Sequence, residues 1–498
     1  MVSVGNGAVV TWTGGTDNSW ATAANWSASA VPTAADDVEI GSSVTVSTPA
    51  EIAGQTLTLS GGGTLSFPRQ NGYGIGSTTI GNGGTLSTSA WISGSITLQA
   101  GGTLSVSGSF RAGNGVAGQT IYVQTGGTAT SSNWLTLGAG TTGGAANTVK
   151  IQGGLLKTTA VNDSAVFGLS GSTVVEISED LPGVSTQMDF TSLGIGNRNG
   201  NHANNLSSVQ MSGGTMLIRS TANMWSKGRY GLLIGMNDGS SGGKGEMLLS
   251  GGLVNVLAGT DGNVYVGYRT GTGGTVSGKL DISGGEMNVA NGIVVAGGAA
   301  DVVGSLTLRE DGVLRVGEID TTRSVGTATF SWTGGELTVG TYTGDFTNEG
   351  TTLAPADVSF DGVSLTKNVT LTDFGTTTVV GDYLQKSGRL LMDVQFAADG
   401  TISGQDLFLA DAITLEGGDL EINVLGDVYE DGFQVSLFGS APDFSGTFAN
   451  ILTNVEGYAW TLDYATGVAT LQGAAGVPEP ATWCLLLLGL GLLYRYRR

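Results

Sequence analysis

Leu280-Asp281-Ile282-Ser283-Gly284-Gly285-Glu286-Met287-Asn288-Val289 is the stretch from which this chain is best read. Apolar side chains alternate with polar ones on both sides of a glycine pair, the period of strands with one buried face. The glycines supply the positive φ that a sharp change of direction needs. The phrase also occurs at Leu57 to Gly62, Ile96 to Val106, Val209 to Met216, Met247 to Val254 and Phe330 to Leu337. A second phrase falls between these copies, as Leu233-Ile234-Gly235, Val264-Tyr265-Val266-Gly267 and Ile293-Val294-Val295-Ala296. Gly-Gly pairs recur roughly every 18 to 38 residues, which suits coils of about 20 to 25 residues stacked about 4.8 Å apart. The reading predicts an all-β chain, a right-handed parallel β-helix (solenoid). A β-sandwich or antiparallel barrel uses similar strands, but one phrase repeated over so long a span favours stacked coils.

Composition agrees. Glycine supplies 86 of 498 residues without a Gly-X-Y period, so the chain is not collagenous. Charged residues are 12% and apolar ones 40%, too apolar and too weakly charged for disorder. The net charge of −21 argues against nucleic acid as a partner. From Thr351 to Gly476 there are 17 acidic and 3 basic side chains, a net of −14, a surface best read as solvating. The single cysteine, Cys484, allows no intramolecular disulfide and no cysteine-based metal site.

Both ends of the solenoid need closure, because a terminal coil exposes its core and an open strand edge. Trp12, Trp20 and Trp26 lie within 15 residues and are read as an N-terminal cap, with a sugar-stacking cluster as the alternative. At the other end, Val477-Pro478-Glu479-Pro480 precedes an apolar run from Ala481 to Tyr494, and Arg495, Arg497 and Arg498 follow. The prolines suit a helix start. The run reads as one hydrophobic helix, shorter than the roughly 20 residues of a comfortable span, with its arginines on the cytoplasmic side. The expected organisation is a Trp-rich cap over 1–40, a Gly-rich β-helix over 41–350, acidic coils and cap over 351–476, and the tail over 477–498. Met1 to Asn6 offers neither a basic n-region nor an apolar core, so a signal peptide is expected to be missing from the sequence as given.

The tail resembles the PEP-CTERM sorting signal of bacterial surface proteins. That resemblance implies export, recognition of Val477 to Pro480 by an exosortase, transient anchoring in the inner membrane, and removal of the tail. The Trp-rich start is similar to the N-terminal module of autotransporter-like surface proteins. Gly381-Asp382-Tyr383-Leu384-Gln385 with Gly388-Arg389-Leu390 is similar to the last passenger coils of such proteins. The resemblance further implies association with exopolysaccharide or cell-surface glycans.

Catalytic chemistry is sparse. Glycoside hydrolysis needs two carboxylates facing each other across a cleft. The adjacent pairs Asp36-Asp37, Glu179-Asp180, Glu310-Asp311 and Glu430-Asp431 would point to opposite faces of a strand and read as turns. His202 is the sole histidine, too few for a histidine metal site or a triad. Lys227, Arg229 and Tyr230, after Trp225, are the best cleft candidate. No structural calcium array, metal or cofactor is expected. The expected function is a non-enzymatic surface or matrix protein with structural or adhesive duty. Its rival is a polysaccharide-active β-helix lyase or glycosidase, favoured if carboxylates, or a base beside them, gather from separate coils.

Overall fold

The computed structural model describes residues 7–473 apart from 46–51, 68–72, 90–93, 114–116, 139–144, 160–164, 170, 197–204, 222–230, 238–241, 261, 270–272, 324–325, 356–357, 361–368, 372 and 440–442. The chain forms two compact units, one of residues 1–344 with 358–371, the other of 345–357 with 372–498. Among the described residues the structure is all-β, with one three-residue 3-10 turn at Ala23–Asn25.

In the first unit the strands stack into three parallel columns. One strand, Val276–Gly297, passes through all three. Its first part pairs with Gly243–Val256 before it and Val302–Leu308 after it. Beyond the turn at Gly284-Gly285, Glu286 to Val289 enter the second column, pairing with Val313 to Val316. Ile293 to Val295 then join the third column beside Val264 to Val266. The quoted phrase is thus one strand of the first column, a glycine corner and one strand of the second. The second phrase is the third column.

Register locks like against like. Val38, Leu57, Thr78, Ile96, Tyr122, Val149, Val175, Val209, Met247, Leu280 and Leu306 stand in line along the inside of the first column. All are almost fully buried. The second column carries Leu65, Leu86, Leu104, Ala129, Leu156, Met188, Met216, Val254, Met287, Leu314 and Leu337. A one-residue slip would turn either row outward, so burial itself holds the register. Corners demand glycine. Gly285 has φ +70°, and a Cβ there would stand 2.6 Å from the carbonyl oxygen of Gly252 one coil away.

The third column differs in being buried on both sides. Phe110, Leu135, Ala165, Leu193, Leu232, Val264 and Ile293 are in register on one side. Val166, Leu233, Tyr265 and Val294 form a buried apolar cluster with Leu169 and Met236, with Trp134 and Tyr268 packed against it. This is why the second phrase is apolar without alternation.

The second unit has its own parallel ladders. Phe346, Tyr383, Ile413 and Phe444 line up through successive strands, as do Leu353, Leu390, Leu420 and Ile451. Towards its end the pairing turns antiparallel. Val468–Gly473 pairs with both Gln434–Ser436 and Tyr458–Asp463, with Val435, Trp460, Ala469 and Leu471 buried.

Candidate functional site

Among the described residues, buried polar groups occur inside the stacked coils, where a polar atom must find a partner or destabilise the fold. The Tyr122 hydroxyl donates to Gln124 Oε1 at 2.8 Å, and Gln124 Nε2 donates to the Gly127 carbonyl at 3.4 Å. In the second unit Tyr383 donates to Gln385, whose Nε2 donates to the Ser387 carbonyl at 2.6 Å. Asn348 Nδ2 lies 3.2 Å from Gln385 Oε1. Burial pushes both phenols well above the ordinary tyrosine range. Each glutamine ties a buried tyrosine to a corner carbonyl, a structural task.

The three tryptophans expected to cap the stack pack on one another edge to face. Trp26 meets Trp12 edge-on at 4.9 Å and Trp20 at 4.7 Å, and its indole N–H donates to the Trp20 carbonyl at 2.8 Å. Trp12, Trp20 and Trp26 are 5%, 3% and 2% exposed, leaving no ring face for a sugar. Asp17 and Asn25 complete the cap. Asn25 Oδ1 accepts from the amides of Thr16 and Asp17, while its Nδ2 donates to Asp17 Oδ1 at 2.6 Å. The amide of Ser19 also donates to Asp17, and these bonds hold that carboxyl below its usual range. Sequence reading named the aromatic rings and missed this polar pair.

The adjacent carboxylate pairs mostly serve turns. Asp36 accepts from the amide and hydroxyl of Thr33, each at 2.7 Å, which lowers its pKa. Asp180 accepts from Ser178 and Glu179 from the Thr186 amide, and Asp431 accepts from the Gly473 amide. Glu310 pairs with Arg309 and sits at φ +54°. His202 and the Trp225 to Tyr230 stretch lie outside the described residues.

Charge does gather from separate coils. Asp189, buried, takes a two-point contact from Arg219 at 2.6 and 2.8 Å and another from Lys157 at 3.4 Å. Arg315, also buried, meets Glu286 at 2.8 Å and Glu336 at 3.1 Å. Asp281 meets Lys279 and Arg309 at 3.3 and 3.0 Å. Glu286 and Glu336 each directly follow a Gly-Gly pair. Aligning the phrases on their glycines would have placed both carboxylates at one position of one column. Among the described residues no group of histidine, cysteine, aspartate and glutamate is arranged to hold a metal ion.

Val477 to Pro480, the run 481–494 with its expected helix, and Arg495, Arg497 and Arg498 lie outside the described residues. Among those that are described, no helix is long and apolar enough to cross a membrane. The tail's identity comes from its sequence, because residues 476–498 match the family model for the PEP-CTERM protein-sorting motif. This chain carries a PEP-CTERM sorting motif. The PEP-CTERM motif implies an exported surface protein, sorted and processed by an exosortase. No curated protein and no solved structure matches the chain.

Proposed function

We propose that this PEP-CTERM protein is a non-enzymatic structural or adhesive component of the bacterial surface or extracellular matrix. Its body is a right-handed β-helix, in keeping with the strong right-handed bias of parallel crossover connections. The tail serves delivery: Val477 to Pro480 is the recognition element, the apolar helix holds the chain in the inner membrane, and Arg495, Arg497 and Arg498 anchor it until the exosortase acts. Exopolysaccharide or cell-surface glycan is the partner. The observation that carries this reading is the sorting motif on a stack of parallel coils, a body suited to broad, repeated, weak contacts.

A polysaccharide-active enzyme is the second reading, favoured by the Glu286, Arg315 and Glu336 cluster drawn from separate coils. Against it, one guanidinium already engages both carboxylates, where glycoside hydrolysis needs them facing across a cleft wide enough for sugar.

Two measurements test the proposal. Replacing Pro478 and Pro480 with Ala should leave the tail uncleaved in an exosortase-bearing host; normal processing would refute the recognition element. Incubation with neutral and acidic polysaccharides should release no reducing ends or unsaturated products. Turnover abolished by Glu286→Gln would establish the enzyme instead.

A further inference from the structure

The outer faces of the first unit change chemistry along the stack. Between residues 41 and 149 only Glu51, Arg69 and Arg111 carry charge, in a chain whose net charge is −21. Within this span Thr58, Thr79 and Thr97 stand in register on the first column, and Thr64, Thr85 and Thr103 on the second. All six are part-exposed and each directly precedes a buried aliphatic residue, so their hydroxyls face outward. Continued beyond residue 149, the row of Thr58, Thr79 and Thr97 brings Lys150 against Glu176, and the second column's row of Ser66, Ser87 and Ser105 brings Lys157 against Asp189. The hydroxyl-bearing span is therefore set apart from the ion-paired one.

We infer that this uncharged face binds an extended, uncharged polysaccharide laid along the stack, an inference that rests on the surface or matrix role proposed above. Charge selects the occupant. An acidic polymer is repelled by the chain's field, while a neutral one meets a span with few charges to desolvate. A second copy of this chain fits less well, because the cores of stable protein interfaces are richer in apolar and aromatic area than rows of hydroxyls. Serine and threonine hydroxyls donate and accept as sugar hydroxyls do. Each row offers one every 4.8 Å or so, a repeat close to the length of one sugar residue in an extended chain. Single contacts of this kind are weak, and repetition sums them.

Cosedimentation of the full chain with microcrystalline cellulose and with calcium alginate beads tests this. The wild-type chain should be retained on cellulose and not on alginate. Thr79→Glu with Thr85→Glu should weaken retention at least tenfold, while Ser305→Glu with Thr307→Glu, equally charged but outside the span, should not change it. Circular dichroism and melting of each variant establish that the fold is kept. Equal retention of both variants overturns the inference. Retention on alginate alone overturns it too, yet leaves the adhesive role standing. Retention on neither, with the chain still at the cell surface, removes the polysaccharide partner and leaves the sorting assignment untouched.

Discussion

Gly278 shows how little room this fold leaves at single positions. A Cβ there would lie 2.1 Å from the Gly267 amide nitrogen and 2.4 Å from the Ile234 carbonyl oxygen. Backbone from the third column meets backbone from the first at this point, and no side chain can give way. Gly278→Ala should therefore cost about 1–3 kcal/mol, as overpacking does, and Gly41→Ala, with nothing within 4 Å, should be tolerated; urea unfolding of both checks this. Asp393 is under a different stress. Its Oδ1 is buried with no hydrogen-bond partner among the described residues. Burial, with Asp373 and Glu421 nearby, raises its pKa above the usual 3.8, although Asn423 opposes the rise. The folded state then holds this proton more tightly than the unfolded chain. Its contribution to stability accordingly falls as pH rises from 3.8 through the raised folded value. Asp393→Asn should raise the melting temperature at pH 7, with the gain gone by pH 3; an equal gain at both values would contradict this account.

Single strands read well wherever one face is buried. The Gly-Gly phrase marks the first two columns because their outer faces are polar, and the alternation survives in sequence. The third column is buried on both sides, so its strands read only as short apolar runs. Buried polar residues broke the pattern for a physical reason. Gln124 occupies an inward position opposite Leu98 and Ile151, where sequence reading expects an aliphatic side chain. It is there to satisfy the Tyr122 hydroxyl and the Gly127 carbonyl. Gln124→Leu should cost about 1–3 kcal/mol, the penalty for a buried phenol left without an acceptor. Adding Tyr122→Phe should recover part of that loss. Denaturation of the single and double variants measures it, and strict additivity would show that the pair is uncoupled.

At the scale of the whole chain, stability and delivery are separate problems with separate solutions. Without a disulfide, the body depends on aliphatic rows, stacked corners and the buried N-terminal tryptophans. Delivery depends on the PEP-CTERM motif over 476–498, so the Pro478 and Pro480 variants should alter processing and leave the melting of the body unchanged. Charge is divided as well. Ion pairs join coils beyond residue 149, while the span before it is nearly free of charge. This division is what the proposed neutral-polysaccharide face requires.

The sequence alone determined the all-β class, the stacked coils, the cluster of N-terminal tryptophans and the sorting tail. Each of these is written in local pattern: a period of two, a glycine pair, a cluster of rings, an ordered set of proline, apolar and arginine segments. Tertiary structure alone decided the three-column arrangement, the pairing of Asp189 with Lys157 and Arg219, and the joining of Glu286, Arg315 and Glu336. Those contacts link residues 21 to 32 positions apart. Coil lengths vary through loops of unequal size, so the register that brings such residues side by side is set by which apolar rows stack, and a single strand's pattern does not contain that information.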